Sequence, residues 1–158
     1  MRTTLLQVLT VLFLVFTGDS FGQVETDLKN FKEDGKPTTW ATYYSSESVT
    51  IEYKFVTCTP TSGLDNEGVV FKYTNKTNSK VILNWHLHLY YDETCRTCDF
   101  GDEYSKEISL TPNQIIEGNC TTEGDYTLKI FSKFNDANYS KGAKLTSFKL
   151  DNLLISTY

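Results

Sequence analysis

A near-complete alternation of apolar and polar side chains over residues 81–91 constrains the fold more than any other feature of this 158-residue chain. Because side chains on a β-strand point alternately to opposite faces, this stretch is predicted to be a half-buried strand. Its apolar face carries Val81, Leu83, Trp85, Leu87, Leu89 and Tyr91. A second stretch repeats the pattern, with Val49, Ile51, Tyr53 and Phe55 on its apolar face. Such strands predict an all-β domain.

Composition and spacing extend this prediction to the rest of the chain. The sequence holds 22 Thr, 10 Tyr and 10 Phe but only 3 Ala and 1 Met, which favours strands over helices. Further strands are expected at residues 40–44, 69–75, 114–118, 125–134 and 144–156, and another ends at Leu110. Seven to eight strands at this spacing predict an antiparallel immunoglobulin-like β-sandwich, with a barrel as the alternative. Turn-forming residues at 75–78 predict a hairpin between the strands 69–75 and 80–91.

The N-terminal residues 1–22 have the pattern of a secretory signal peptide. Arg2 precedes an apolar run over residues 5–16, and small residues lie before a cleavage point at Gln23. This run is shorter than the roughly 20 residues that a membrane-spanning helix needs. We therefore expect an exported protein with no membrane span in its mature form.

The charge distribution predicts one domain behind a flexible leader. Residues 23–39 are charged and poor in apolar side chains, which is typical of a flexible segment. The sandwich domain is expected to occupy residues 40–158. The net charge of −5 argues against a general nucleic-acid binder, because such proteins carry a basic surface.

Four cysteines, Cys58, Cys95, Cys98 and Cys120, are expected to meet an oxidising compartment after export. They are predicted to form two disulfides, for which three pairings are possible. The chain-entropy model gives a weak preference for two long bridges that join Cys58 and Cys120 to the CxxC pair. A zinc site of four thiolates and a thiol-disulfide role for Cys95 and Cys98 are the alternatives.

His86 and His88 are the only histidines, and their spacing places both on one face of the predicted strand. Two histidines so arranged are a metal-binding hypothesis, but zinc needs at least a third protein ligand. Asn84 and Tyr90 on the same face are not common zinc ligands, so outward-facing side chains without a metal are the alternative. The sequence predicts no cofactor, and it contains no catalytic motif that would make the protein an enzyme.

The loop that follows the strand 80–91 carries most of the local acidic charge. Residues 92–124 contain eight acidic side chains and two basic ones. Loops on a rigid sandwich are where recognition usually takes place. The predicted binding loop consists of Asp92, Glu93, Arg96, Asp99, Phe100, Asp102 and Glu103.

Several of these segments together resemble small exported proteins of Bacteroidetes that are uncharacterised. The resemblance rests on residues 21–23, 49–58, 71–77, 95–98, 110–120 and 128–134, and it covers roughly residues 40–155. It implies a periplasmic or secreted setting and transfers no catalytic residues. The sequence thus predicts an exported, non-enzymatic binding or structural module whose partner is a protein, a glycan or an envelope component.

Overall fold

The computed structural model describes residues 22–24, 26–60, 63–122, 126–139 and 141–158. Within these residues the regular elements are β-strands and three short 3₁₀ turns, at Glu33–Gly35, Asp102–Tyr104 and Ala137–Tyr139. The strands are β1 (Gly22–Val24), β2 (Lys29–Asn30), β3 (Ala41–Ser45), β4 (Val49–Cys58), β5 (Asn66–Asn75), β6 (Val81–Tyr91), β7 (Thr94–Cys95), β8 (Ser105–Leu110), β9 (Ile115–Glu117), β10 (Lys129–Phe134) and β11 (Leu145–Thr157). The prediction of an all-β chain is confirmed.

The strands form two antiparallel sheets. In the first, β6 pairs with β11; the short strands β1 and β2 follow the outer edge of β11, and β7 and β8 follow the outer edge of β6. In the second, β3, β4 and β5 are consecutive neighbours, and β9 and β10 share the far edge of β5. This arrangement agrees with the predicted β-sandwich at the level of two antiparallel sheets.

The side chains that the alternation predicts to face inward form much of the core. The predicted inward residues of β4 and the first five of β6 are all buried. Phe148 of β11 is fully buried and packs within 5.5 Å, ring to ring, of four other aromatic side chains. Those partners are Phe31, Tyr43, Tyr53 and Phe71. One aromatic cluster therefore joins the N-terminal segment to strands of both sheets.

The predicted hairpin between residues 69–75 and 80–91 is wrong. β5 and β6 lie in different sheets, and the connection between them crosses from one sheet to the other. Asn75, 1% exposed, holds this crossing: its side-chain amide donates to the carbonyls of Ser79 (2.7 Å) and Thr111 (2.9 Å). Alternation fixes which face of a strand is buried but not which strand lies beside it, so the turn residues alone could not distinguish the two connections.

The segment predicted as a flexible leader contains parts that pair with β11. β1 and β2 lie along its edge, and the Thr26 hydroxyl donates to the Leu150 carbonyl at 2.5 Å. Phe31 packs against the core, and Lys36 forms a largely buried ion pair with Glu67 at 2.6 Å. One aromatic side chain and a few buried polar contacts therefore position a segment whose composition is otherwise polar.

The predicted signal peptide falls almost entirely outside the described residues, which begin at Gly22. Within the described residues, no helix is long and apolar enough to cross a membrane.

The four cysteines form the disulfides Cys58–Cys120 and Cys95–Cys98. The weakly preferred pairing, which joined Cys58 and Cys120 to the CxxC pair, is wrong. Chain entropy depends only on loop length, whereas a disulfide forms only between cysteines whose Cα atoms lie about 4.4 to 6.8 Å apart. The observed Cα distances of 5.4 and 5.8 Å meet this condition.

Candidate functional site

A cleft of about 590 Å³ opens on the outer face of the first sheet. β6 contributes Asn84, His86 and His88, and β11 contributes Asp151 and Asn152. The loop between β7 and β8 forms another wall, to which Cys98 and Gly101 belong. Two features that the sequence suggested separately, the histidine pair and the cysteine-bearing loop, therefore border one pocket.

Strand pairing explains how β6, β8 and β11 bring these side chains together. His86 lies opposite Ser105 of β8 on one side and opposite Asp151 of β11 on the other. Directly after Asp151 the register of β11 shifts, and Asn152 adopts a left-handed conformation with φ of 52°. Such bulges bend a strand and re-aim its side chains. Here the bulge lies at the edge of the cleft, where the Asn152 amide donates to the Asp151 carboxylate at 3.0 Å.

The loop after β6 begins with a tight turn. Asp92 and Glu93 both have positive φ, 49° and 65°, and lie between the paired residues Tyr91 and Thr94. Positive φ at both central residues defines a type I′ turn, which suits the twist of a two-stranded hairpin. This turn reverses the chain, so that the following residues run back along β6.

Thr97 fastens the returning loop to β6. Its hydroxyl accepts a hydrogen bond from the Leu89 amide at 2.8 Å and donates one to the Leu87 carbonyl at 2.6 Å. The Arg96 amide donates to the Leu89 carbonyl at 2.8 Å. These hydrogen bonds pair the backbone groups of Leu87 and Leu89, which lie between the part of β6 that pairs with β7 and the part that pairs with β8. Thr97 itself is only 2% exposed. The Cys95–Cys98 disulfide closes the loop around this anchor.

The ring of His86 is oriented by the loop. Its Nε2 lies 2.8 Å from the Gly101 carbonyl oxygen, which can only accept, so Nε2 carries the hydrogen. In the neutral ring Nδ1 is then an acceptor. Nδ1 is buried and has no hydrogen-bond partner within the described part of the chain. Buried polar atoms are usually paired, so this atom is a candidate contact for a bound molecule.

His88 lies beside His86, with 5.0 Å between the two ring centroids. Burial lowers the pKa of His88 below the ordinary value near 6.5, and the neighbouring His86 and Lys149 act in the same direction. Asp151 and Asp99 oppose the shift. The neutral form of His88 is therefore favoured at neutral pH. The pKa of Asp151 is lowered, chiefly by its contact with Lys149 at 2.6 Å, so this carboxylate stays ionised.

The predicted binding loop divides into two parts. Phe100 is 55% exposed and precedes Gly101 at the cleft, and Asp99, Asp102 and Glu103 are exposed nearby. At the other end of the loop, Glu93 and Tyr90 border a second cleft, of about 800 Å³, with residues 28, 30–32, 34 and 35. Arg96 is exposed between the two ends. The predicted residues thus share one loop but not one pocket.

Three residues of the site could not be identified as site residues from the sequence. Thr97 resembles any loop threonine, and Asp151 and Asn152 lie more than 60 residues along the chain from His88. Only the pairing of β6 with β11 brings Asp151 opposite His86. Among the described residues, no group of three or more His, Cys, Asp and Glu side chains is arranged to hold a metal ion.

Comparison of the chain with profiles of known protein families, with curated proteins and with solved structures gave no match. The chemistry of the cleft is therefore inferred from its own side chains. The Asn84 amide donates and accepts hydrogen bonds, whereas Nδ1 of His86 and the Asp151 carboxylate accept them. This set is suited to binding a polar molecule.

Thr97→Val is expected to lower the free energy of unfolding by about 2 to 3 kcal/mol, because it leaves a buried amide and a buried carbonyl of β6 without partners. Urea denaturation measures the loss, and amide hydrogen exchange at Leu89 should accelerate. Thr94→Val, at an exposed position in β7, is the matched control and should change stability by less than about 0.5 kcal/mol. Equal stability of the two variants would contradict the anchoring role.

Asp151→Asn is expected to lower the pKa of His88 further, because Asp151 is the main group that stabilises its protonated form. In wild type, the pKa of His88 is lower in the folded chain than in the unfolded chain. At pH values between these two, the unfolded chain therefore binds more protons than the folded one. Stability should then fall as the pH decreases from about 6.5 toward the folded-state pKa of His88. NMR titration of the His88 imidazole measures both proteins. A pKa that rises in the variant would contradict this account.

Proposed function

We propose that this protein is an exported, non-enzymatic binding module that contacts its ligand at the cleft on the outer face of β6. The observation that carries the proposal is the loop after β6, which is closed by a disulfide and held by Thr97 against the strand that presents His86 and His88. Such a loop is a preorganised wall, and preorganisation lowers the entropy lost on binding.

An immunoglobulin-like arrangement is part of this proposal. In that fold, two central strands of one sheet are linked to two central strands of the other by connections that cross between the sheets. Here β5 pairs with β10, β6 pairs with β11, and the β5–β6 and β10–β11 connections both change sheet. The edge of β11, where an immunoglobulin fold carries its last strand, is occupied instead by β1 and β2 from the N-terminal end.

Export is likewise proposed. Two disulfides fit a protein that folds in an oxidising compartment. Together with the predicted signal peptide and the resemblance to exported bacterial proteins, they support a periplasmic or secreted location.

Binding to the envelope fraction of the producing cells tests the proposed function. The labelled protein should bind this fraction saturably, and a triple alanine variant of Arg96, Asp99 and Phe100 should bind at least tenfold more weakly. A matched variant with alanine at Asn138, Tyr139 and Lys141, exposed on another loop, should bind like wild type. Absence of saturable binding, or equal loss in both variants, would refute the proposal.

A second candidate function is the binding of one metal ion by His86 and His88. The close approach of the two rings favours it, as does Nδ1 of His86, which has no partner among the described residues. If it is correct, Zn²⁺ or Cu²⁺ raises the melting temperature of wild type but not of His86→Ala. An unchanged melting temperature in wild type would exclude a stable site.

A further inference from the structure

We propose that the cleft on the outer face of β6 binds one neutral pyranose unit of a glycan. This inference rests on the proposed function and names its ligand class. The residues assigned to it are Asn84, His86, Ser105 and Asp151, which would hydrogen-bond the sugar hydroxyls, and Phe100, which would contact the carbon face of the ring.

The lining of the cleft carries little net charge, because it holds one basic and one acidic side chain, Lys106 and Asp151. The Asp151 carboxylate lies 2.6 Å from the Lys149 ammonium, and the Lys106 ammonium donates to the neutral Glu103 carbonyl at 3.1 Å. A site for phosphate or another anion concentrates unpaired positive charge and bidentate donors. The cleft therefore favours an uncharged ligand.

Several hydrogen-bonding groups border the cleft. Within the described part of the chain, the buried Nδ1 of His86 has no hydrogen-bond partner, and the Asn84 amide and the Ser105 hydroxyl also line the cleft. Ser105 lies directly opposite His86 on the neighbouring strand, and Asn84 lies two residues along β6 on the same face. Such spacings, about 5 Å across strands and about 7 Å along one, match the size of a single sugar ring.

These groups also match the chemistry of a sugar hydroxyl, which donates one hydrogen bond and accepts two. Nδ1 of His86 and the Asp151 carboxylate can accept, Asn84 can do both, and Ser105 can rotate its hydrogen to suit. A ligand that paired with them would also satisfy the buried Nδ1 atom, whose isolation is otherwise unfavourable.

Phe100 supplies an apolar contact beside these polar groups. Its ring is 55% exposed, and its centroid lies 6.2 Å from that of the Tyr104 ring, with the two planes at 62°. Phe100 does not itself line the cleft, but the next residue, Gly101, does, and its carbonyl contacts His86, so the loop backbone holds Phe100 next to the rim of the cleft. The face of an aromatic ring carries partial negative charge and attracts the slightly positive C–H groups of a pyranose.

Titration with four neutral methyl glycosides, those of glucose, galactose, mannose and N-acetylglucosamine, tests the inference. At least one should bind in saturation-transfer NMR with a millimolar dissociation constant and should shift the Nδ1 resonance of His86. Asn84→Ala and Phe100→Ala should each weaken binding at least tenfold. Thr50→Ala, on the outer face of β4, and Tyr139→Ala, at a ring 50% exposed, are the matched controls and should change it less than twofold.

The inference is overturned if none of the glycosides binds at ~50 mM, which is 50-fold above a millimolar dissociation constant. It is also overturned if Asn84→Ala and Phe100→Ala both bind the glycoside as tightly as wild type. Treatment of the envelope fraction separates this failure from failure of the proposed function. Periodate, which cleaves vicinal diols, should abolish binding to that fraction, whereas proteinase should leave it intact. If binding instead survives periodate and is lost after proteinase treatment, the ligand is a protein, and the sugar site is refuted.

Discussion

Replacing both Cys58 and Cys120 with serine is expected to lower the free energy of unfolding by about 4 kcal/mol, whereas the same change at Cys95 and Cys98 should lower it by only about 2 kcal/mol. The two bridges differ in the chain that they close, with sequence separations of 62 and 3 residues. A crosslink that closes a longer loop removes more conformational freedom from the unfolded chain. Urea denaturation of both double variants, beside the oxidised wild type, measures the difference.

The two variants should behave in the opposite order in a binding experiment. The Cys95–Cys98 bridge closes residues 95–98 of the loop that forms one wall of the cleft, and Cys98 itself lines the cleft, so loss of the bridge should weaken ligand binding even though the domain remains folded. Loss of the Cys58–Cys120 bridge should leave the affinity of the folded fraction unchanged. Equal stability losses, or a binding defect confined to the Cys58–Cys120 variant, would contradict this division of roles.

Phe148→Ala is expected to lower the free energy of unfolding by about 4 kcal/mol, at the upper end of the effects of single substitutions. Phe148 is fully buried, and its ring lies 5.2 to 5.5 Å from those of four aromatic partners. The substitution removes the buried ring and leaves a cavity between the sheets. Thermal or urea denaturation followed by tryptophan fluorescence measures the change.

Phe134→Ala is the matched control, because the Phe134 ring is 39% exposed at the end of β10. It should reduce stability by about 1 kcal/mol or less. A small effect of Phe148→Ala would show that the surrounding rings collapse into the space, or that they do not form one cluster. The triple replacement of Phe31, Tyr43 and Phe148 would then separate these two explanations.

The sequence was sufficient to predict what depends on local periodicity. Alternation along β6 identified both the buried face and the outward face that carries His86 and His88, because a strand repeats every two residues whatever lies beside it. All three prolines lie outside the strands, as their chemistry predicts, whereas Gly68 lies within β5 and not in the loop that the sequence indicated. The ends of β4 and β11 fall within a few residues of the predicted ones.

The partners of each strand could not be predicted in the same way. The β5–β6 connection contains turn-forming residues that would equally suit a hairpin, and the actual pairing of β6 with β11 joins residues far apart in the chain. For the same reason the sequence did not reveal Asp151, or the contact between His86 and Gly101. These features depend on long-range register, which is fixed only by the packing of the whole core.

The position of β11 also determines when this chain can fold. β11 is the last strand of the described residues, yet it lies between β6 and the N-terminal strands, and Thr26 bonds to Leu150 across 124 residues of sequence. The first sheet lacks its centre until β11 has been made, so its native pairing cannot form before then, whereas the second sheet consists entirely of earlier strands. Contacts of such high sequence separation make folding slow, on the millisecond to second scale.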